Sequence, residues 1–516
     1  MKTAIIGLDG GTYRIIDNYR EDLPTLDRLM ADGYHSILDS TQPPTTSVAW
    51  PSFATGQNPA KYGMFDFMGR FPETLNFYIN DARKKGFDFF WEHMDEPIGL
   101  GSVPLIPYHN TDGFFVQGSL ARINEDQIVS PISLKEIIPD YYDYRINWQD
   151  DTADIVDGVM KRIAAREEFF KHLISTFDIP LYFLMFNAID HIQHHFWAYM
   201  HESHPAHEDS SFGAAILDAY KRFDEALENI LACFDERVNV VIASDHGFKP
   251  CHTELNINAL LNQKGYLEYD VGTSTAVLTD AYDFLKNHIS ADTLEFLIPS
   301  SVKSAAKDQM PRNDRIMDAI NWTETSAYSF GVMPNIYLNL VGREKYGQVS
   351  QAAYDQICDE LTEMFLDVTD PKTGKNVFKN VYQRDDIYHG PYIEQAPDLV
   401  LETTTGFYCS GNLGTQIFTR KTGPMPNSGV HEREGILIAN GPDIATSDGR
   451  AERNGIADVA PTLLHLLGYP IPENMDGTVI LGLDTSDRTP AYTDHKKSEK
   501  KHVESRVLTL KQLGRI

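Results

Sequence analysis

Acidic and imidazole side chains follow directly after two apolar runs of the chain. Ala4–Leu8 is a short continuous apolar run that ends at Asp9, and Val238–Ser244 is another that ends in Asp245-His246. Short apolar runs of this kind are typical of strands buried in a parallel sheet. Carboxylate oxygens and imidazole nitrogens after such strands are metal-ligand types, suited to zinc first and then to manganese.

Two further segments offer the same ligand types. The apolar run at residues 180–186 is followed by Asp190, and His194 lies four residues further on. If this stretch is helical, Asp190 and His194 share one face of the helix. His431 precedes another apolar run, Gly435–Ala439. Because ligands bind beyond the carboxyl ends of parallel strands, we expect all these side chains at one edge of one sheet.

Each of these positions also has a plain structural interpretation. An aspartate after a strand is usually a turn former or a helix cap, and a histidine can belong to a polar helix face or a loop. The joint pattern favours a metal centre, and charge counting favours two ions. Asp9, Asp190 and Asp245 bring three negative charges and a Thr46 alkoxide a fourth, which two divalent cations would cancel.

The segment Thr41–Gly63 offers a nucleophile. Two prolines favour an extended approach, after which Thr45 and Thr46 stand where a helix could begin. A helix cap is the structural alternative. In the functional interpretation, the N–H groups and dipole of the helix start form an anion site, and a Thr46 hydroxyl beside a metal could be deprotonated near neutral pH. Pro51 falls inside this helix and could kink it.

The elements that must position these residues alternate between strands and helices. Helical patterns separate the apolar runs at residues 24–33, 150–176, 212–234, 348–365 and 456–467. This alternation predicts an α/β fold with a mostly parallel central sheet sandwiched by helices.

We expect one large catalytic domain over residues 1–482. Its core would consist of residues 1–66, 141–267 and 336–482, with inserted cap segments at about 67–140 and 268–335 that select the substrate. Phe89, Phe90 and Trp91 in the first insertion could stack on a base or sugar but are expected to form core. Residues 483–516 form a basic tail with apolar residues at helical spacing, interpreted as a short helix that docks on the body.

The overall charge limits the partners. The 516-residue chain has 45 basic and 74 acidic side chains and a formal net charge of −29, which disfavours nucleic acid and anionic membranes. Phosphate is repelled too, so a phosphate site needs strong local positive charge, most simply from bound metal. The start lacks a signal-peptide pattern, no apolar run is long enough to span a membrane, and the four cysteines are scattered. These features predict a cytoplasmic protein without a membrane span, and they leave its oligomeric state open.

Several stretches together are specific to one known family. They include IIGLDGGTYRIID, PPTTSVAWPSFATGQNPAKYGMFDF, NAIDHIQHHFWAY, VIASDHGFKP and SGVHEREGILIANGPDI, in the order in which the family has them. On these motifs the chain resembles the type I phosphodiesterase / nucleotide pyrophosphatase family of the alkaline phosphatase superfamily. It resembles most closely the prokaryotic branch of predicted phosphohydrolases and phosphomutases.

The resemblance implies an alkaline-phosphatase-like fold and a metal-dependent hydrolase of phosphate esters, acting on a small phosphorylated substrate. It implies two divalent metals, zinc or else manganese. One would be held by Asp190, His194 and His431, and the other by Asp9, Asp245 and His246, with Thr46 bridging or nearby. In-line attack by the Thr46 oxygen would form a phosphothreonine intermediate.

The chain departs from the family after the nucleophile. Nucleotide pyrophosphatases place a phosphate-holding Asn just after a His-Gly-x-x-Asp run, whereas here the run is Tyr62-Gly63-Met64-Phe65-Asp66 and the next residue is Phe67. Recognition of nucleotides therefore does not carry over. The arginine of a family-like Gly-Arg-Glu run, Arg343, is interpreted as part of a structural ion pair.

Three other functions are compatible with parts of the pattern. A phosphotransferase or phosphomutase would use an acceptor other than water, but the insertions show no dense arginine cluster. A sulfatase would need the C-x-P-x-R signature, which is missing at Thr46. A non-catalytic metal-binding protein would be expected to have lost ligands, and none is lost.

Overall fold

The computed structural model describes residues 2–80, 86–107, 109, 111–118, 128–142, 151–234, 237–270, 319–333, 335–421, 423, 427–485 and 488–494. The helices are α1 (Tyr13–Ile16), α2 (Pro24–Ala31), α3 (Thr46–Thr55), α4 (Pro59–Tyr62), α5 (Thr152–Thr176), α6 (Ala188–Met200), α7 (Ala215–Leu231), α8 (Ile257–Gln263), α9 (Tyr354–Leu366), α10 (Arg384–Ile387) and α11 (Val459–Leu467).

The strands are β1 (Thr3–Leu8), β2 (Tyr34–Asp39), β3 (Met68–Phe71), β4 (Asn76–Ile79), β5 (Ile98–Gly101), β6 (Phe114–Val116), β7 (Val129–Ser130), β8 (Leu181–Phe186), β9 (Asn239–Ala243), β10 (Gly247–Asn256), β11 (Ala327–Ser329), β12 (Asn335–Leu338), β13 (Phe378–Gln383), β14 (Leu399–Thr403), β15 (Gly406–Ser410), β16 (Phe418–Arg420), β17 (Gly429–Glu432), β18 (Glu434–Asn440), β19 (Ala451–Gly455), β20 (Ile471–Pro472) and β21 (Tyr492–Thr493). Each apolar run of the sequence analysis coincides with one of them, which confirms the α/β prediction.

The largest sheet that the described residues form has the strand order β19-β2-β18-β9-β1-β8-β5-β6-β7. β1 lies in the middle and pairs in parallel with β8 and β9, with Leu8 opposite Phe186 and Gly7 opposite Ala243. Every residue of β1 is buried, as a strand covered on both faces requires. The three strands therefore end at the same edge of the sheet.

Helices cover both faces of this sheet. Ile6 and Leu8 of β1 pack into a core that includes residues of α5, α6 and α7, whereas Ile5 packs into a core with residues of α3 and α11. This sandwich agrees with the predicted architecture. The sheet is more mixed than expected, because β18 runs antiparallel to both β2 and β9, and β7 runs antiparallel to β6.

A second lobe packs around its own core. Its sheet has the order β11-β12-β14-β13, and α9 supplies Leu361 and Phe365 to the core beneath it. β10 connects the two lobes: it starts beside the central sheet, where it pairs with β17, and then pairs with β15 and β16.

The first predicted insertion is not separate from the central sheet. Residues 67–140 contribute β5, β6 and β7, which extend the sheet beyond β8. The expectation of a cap is wrong for these three strands. Their short apolar runs are scattered among glycines and prolines, so the sequence shows no clear strand pattern. Phe89, Phe90 and Trp91 are buried in the core on the α3 face, as expected.

Two other expectations fall largely outside the described residues. Most of the second insertion, residues 271–318, and most of the C-terminal tail, residues 495–516, are not described. At the described end of the tail, β21 pairs with β20. None of the described helices has both the length and the apolar character that a membrane crossing requires.

Candidate metal centre

Three of the predicted site residues lie just past β1 and β9. Asp9, Asp245 and His246 are 4%, 0% and 0% exposed, so their polar groups are cut off from bulk solvent. The Asp245 Oδ1 accepts a hydrogen bond from the Gly10 N–H at 3.3 Å, which joins the two strand ends. His246 Nε2 lies 3.3 Å from Asp245 Oδ2 and 3.8 Å from Asp9 Oδ1.

The other three ligand candidates meet beside them. Asp190 and His194 are on the first turns of α6, and Asp190 Oδ1 lies 3.4 Å from His194 Nε2. His431 is brought in by β17, whose pairing with β10 places it opposite Phe248. The His431 Nε2 lies 3.4 Å from Asp190 Oδ1 and 3.1 Å from His194 Nε2.

The two sets of side chains are contiguous, and Asp190 of the second set also lies close to the first. Its Oδ1 is 3.9 Å from His246 Nε2, and the His246 and His431 rings stack with centroids 3.6 Å apart. Two groups of donor atoms close enough to hold an ion result, namely Asp190 with His194 and His431, and Asp9 with Asp190 and His246. Asp190 thus lies between the two groups, and the assignment of Asp245 to the second metal stays a prediction.

Thr46 is the first residue of α3 and lies at the edge of this cluster. Thr45, in extended conformation, is the N-cap, and Pro51 lies inside the helix, as the sequence indicates. Thr46 Oγ1 is 3.4 Å from His246 Nε2, and the residue is 8% exposed. The first N–H groups of a helix have no acceptor within it, so an oxyanion beside Thr46 would meet donors and the positive end of the helix dipole.

All three histidines present the same ring nitrogen to the cluster. Their Nδ1 atoms face backbone carbonyls: Pro44 O at 2.9 Å from His431, Gly247 O at 3.2 Å from His246, and Gly429 O at 3.3 Å from His194. A carbonyl can only accept, so each Nδ1 donates and each Nε2 of a neutral ring directs its lone pair inward. This is how ligating histidines are oriented in metal sites.

The carboxylates are crowded. Burial, and then the charges of Asp245 and Asp190, raise the pKa of Asp9 well above its usual range. Burial and the charge of Asp190 raise the pKa of Asp245 to about 7. Among the described residues, Asp9 Oδ1, Asp190 Oδ1 and Asp245 Oδ2 have no hydrogen-bond partner although they are buried. Orphaned carboxylate oxygens that repel one another fit a site for divalent cations.

Further residues hold this edge in place without a signal in the sequence. The Gln193 Nε2 donates to Gly10 O at 2.8 Å, the Ser244 Oγ donates to Gly11 O at 2.9 Å, and the Tyr220 hydroxyl accepts from the Thr12 N–H at 3.0 Å. These bonds clamp the turn that follows Asp9. Their partners are between 183 and 233 positions apart along the chain, beyond the reach of any local pattern.

Comparison with solved structures places this fold among known ones. Phosphonoacetate hydrolase from Sinorhizobium meliloti 1021 is 12% identical, with 91% of this chain and 95% of that chain covered and a TM-score of 0.53. Human ectonucleotide pyrophosphatase / phosphodiesterase 5 is 14% identical, with 94% and 100% covered and a TM-score of 0.49. The first likeness shows the fold. No curated protein matches the sequence at a significant level.

The class of protein follows from the alkaline-phosphatase-like fold and from a family match over most of the chain. Residues 3–431 match the family described as Type I phosphodiesterase / nucleotide pyrophosphatase. The chain belongs to this family, and it is a metal-dependent hydrolase of phosphoester bonds.

Proposed function

We propose that the chain hydrolyses phosphodiester or pyrophosphate bonds of a small phosphorylated molecule, with Thr46 as nucleophile and two divalent metal ions, zinc or else manganese. Asp190, His194 and His431 would hold one ion, and Asp9, Asp245 and His246 the other. One observation carries the proposal. His194 and His431 bring their Nε2 atoms to 3.1 Å while both Nδ1 atoms face carbonyls, so two lone pairs oppose each other unless a cation lies between.

The residues of the chain have distinct roles in this reaction. The Thr46 oxygen attacks the phosphorus in line, displaces the ester oxygen and carries the phosphoryl group as phosphothreonine until water attacks it. The N–H groups at the start of α3 stabilise the phosphoryl oxygens. The six proposed ligands would hold the cations, which would neutralise phosphoryl charge and lower the pKa of the Thr46 hydroxyl and of water.

The net charge of −29 repels phosphate, which supports a role for bound cations in neutralising the substrate. Without local cations, an anionic substrate would meet the carboxylates of Asp9, Asp190 and Asp245. We further propose that the two predicted insertions, apart from the strands β5, β6 and β7 that join the central sheet, select the substrate, because they follow the nucleophile helix and β10 in the chain. Hydrolysis in place of transfer to another acceptor belongs to the same proposal.

The test begins with purified protein loaded with zinc or manganese. We expect release of nitrophenolate from bis-p-nitrophenyl phosphate and binding of about two metal equivalents, measured by elemental analysis. Turnover of no phosphate mono- or diester by the metal-loaded protein would count against the proposal.

The Thr46→Ala variant tests whether Thr46 acts as the nucleophile or only helps to bind metal. Turnover should fall on the order of 10³-fold or more, because the attacking oxygen is lost, while metal content stays nearly constant. Asp245→Ala should lower the metal content as well. Thr45→Ala is the matched control: it removes the neighbouring buried hydroxyl, which makes no cap hydrogen bond. An active Thr46→Ala enzyme would reject the phosphothreonine route.

A further inference from the structure

Three side chains near the metal centre have buried polar atoms without a hydrogen-bond partner among the described residues. These are both ends of the Gln42 amide, the Ser40 hydroxyl and the Nε of Arg433. Gln42 is 8% exposed and Ser40 is 6% exposed. Buried polar groups in native proteins are nearly always hydrogen-bonded, so several orphaned groups in one place mark a site that a ligand or ordered water completes.

Backbone pairing places this group next to the metal centre. The Ser40 N–H donates to Arg433 O at 2.9 Å, which continues the antiparallel pairing of Asp39 with Glu434 beyond the strand ends. Further along, Pro44 O accepts from His431 Nδ1 at 2.9 Å. Residues 40–44 therefore run beside residues 431–433, between the end of the central sheet and Thr46.

Arg433 brings positive charge that its long ion pair with Asp39 neutralises only in part. Its nearest carboxylate, Asp39, is 3.7 Å away and is already bound by Arg453 through both oxygens, at 2.5 and 3.1 Å. The Tyr382 hydroxyl lies 3.5 Å from Arg433 Nη1 and donates to Glu402 at 2.7 Å. The Arg433 side chain is 35% exposed, so a ligand can reach it. Its five N–H donors suit a carboxylate or phosphate.

We propose that Arg433, together with Gln42 and Ser40, binds a second anionic group of the substrate, joined by a short linker to the phosphoryl group that reacts at Thr46. The identity of the reacting group rests on the proposed function above. The shared chemistry is an oxyanion, either a carboxylate or a second phosphate. A guanidinium in a chain of charge −29 gives such a substrate an advantage over a simple phosphodiester.

Direct binding tests this without turnover. Isothermal titration calorimetry on the zinc-loaded full chain compares n-propylphosphonate with 3-phosphonopropionate, and with alkylene diphosphonates of two to four carbons as the phosphate arm. We expect the wild-type protein to bind the ligand with the second oxyanion about tenfold more tightly than the ligand without it. A ratio of about tenfold between dissociation constants is what one charge-assisted hydrogen bond contributes. Whichever arm shows the larger ratio identifies the second group.

Variants of Arg433 test whether this residue causes the preference for the ligand with the second oxyanion. Arg433→Met should reduce the ratio of the two affinities to about one. Arg433→Lys should retain part of this ratio, because lysine keeps the positive charge but lacks the paired N–H donors of the guanidinium. Arg450→Met is the matched control, since Arg450 has the same charge but is bound by both oxygens of Asp17. It should keep the full ratio. Zinc content and circular dichroism establish that each variant is folded.

Two results would overturn the inference. One is equal affinity of the wild-type protein for ligands with and without the second oxyanion, and the other is a preference that persists in Arg433→Met. The first result would mean that ordered water completes the hydrogen bonds of Gln42 and Ser40, and the second that a group other than Arg433 binds the second oxyanion. Turnover of bis-p-nitrophenyl phosphate, measured on the same preparations, reports on the proposed function separately.

Discussion

Two regions of this molecule bury carboxylates completely and treat them in opposite ways. In the second lobe, Asp398 is held by Arg343 through both oxygens, at 2.6 and 2.9 Å, and accepts from the Tyr354 hydroxyl at 2.9 Å. Burial raises the pKa of Asp398, but Arg343 outweighs burial and holds that pKa below its usual range. This confirms the expected structural ion pair of Arg343.

At the end of the central sheet, Asp9 and Asp245 lack such compensation. Asp9 is equally enclosed, yet its pKa is raised well above the usual range, first by burial and then by the charges of Asp245 and Asp190. No arginine or lysine forms an ion pair with these aspartates within the described residues. The comparison teaches that structural carboxylates carry their own counter-charge, whereas this centre leaves the counter-charge to bound cations.

Arg343→Met gives the largest expected effect on this comparison. It removes the arginine that binds both oxygens of the buried Asp398 and leaves this carboxylate with the more distant Arg384, at 3.9 Å, so the free energy of unfolding should fall by about 3–5 kcal/mol. Urea denaturation at pH 7 measures it. The double variant Arg343→Met/Asp398→Asn should recover part of the lost stability. If the single variant Arg343→Met is as stable as the wild-type protein, the Arg343–Asp398 ion pair does not stabilise the fold.

Asp9→Asn should act in the other direction on the metal-free protein. Removing one of the mutually repelling charges should raise the free energy of unfolding by about 1 kcal/mol in the presence of a chelator. With zinc added, the variant should gain less stability than the wild-type protein, since a ligand is lost. Thermal and urea unfolding with and without chelator measure both. A metal-free Asp9→Asn protein destabilised as much as one with Asp398→Asn would remove the distinction between the two regions.

The smallest expected effect concerns a third carboxylate, Asp370. Burial raises its pKa, but hydrogen bonds from the Thr373 hydroxyl and from Arg420 lower it to about 2. Because the folded pKa lies below the unfolded one, the stabilisation is present above about pH 4 and is lost as the pH falls towards 2. Arg420→Ala should cost about 1 kcal/mol at pH 7 and flatten this dependence. Unfolding midpoints between pH 2 and pH 7 measure it, and an unchanged pH profile would contradict the assignment.

Much of the fold could be predicted because its signals are local. The buried apolar runs coincide with β1, β8, β9 and β18, and the helix that starts at Thr46 follows its prolines as expected. The direction of β18 could not be predicted, since a buried strand has the same apolar sequence pattern whether it runs parallel or antiparallel to its neighbours. The strands of residues 98–130 were missed because each has only two to four residues.

The candidate site was predictable as residue types and less so as an arrangement. Asp9, Asp190, His194, Asp245, His246 and His431 were all expected to meet near Thr46, and the fold brings them together. The central place of Asp190 between the two donor groups has no sequence signal. The orphaned amide of Gln42 has none either, because the neighbouring Ser40 and Pro44 are bonded to Arg433 and His431, which lie almost 400 positions away.

The amino-acid order of this chain by itself determined where strands and helices form, which residues end them and therefore which acids and imidazoles reach one edge of the sheet. Those properties depend on neighbours a few positions away. Only the tertiary structure decided which buried charge is neutralised within the protein and which is left for a ligand. Compensation depends on distances through space. Arg343 reaches Asp398 across 55 positions of sequence, whereas within the described part of the chain no arginine or lysine forms an ion pair with Asp9, which lies beside His246.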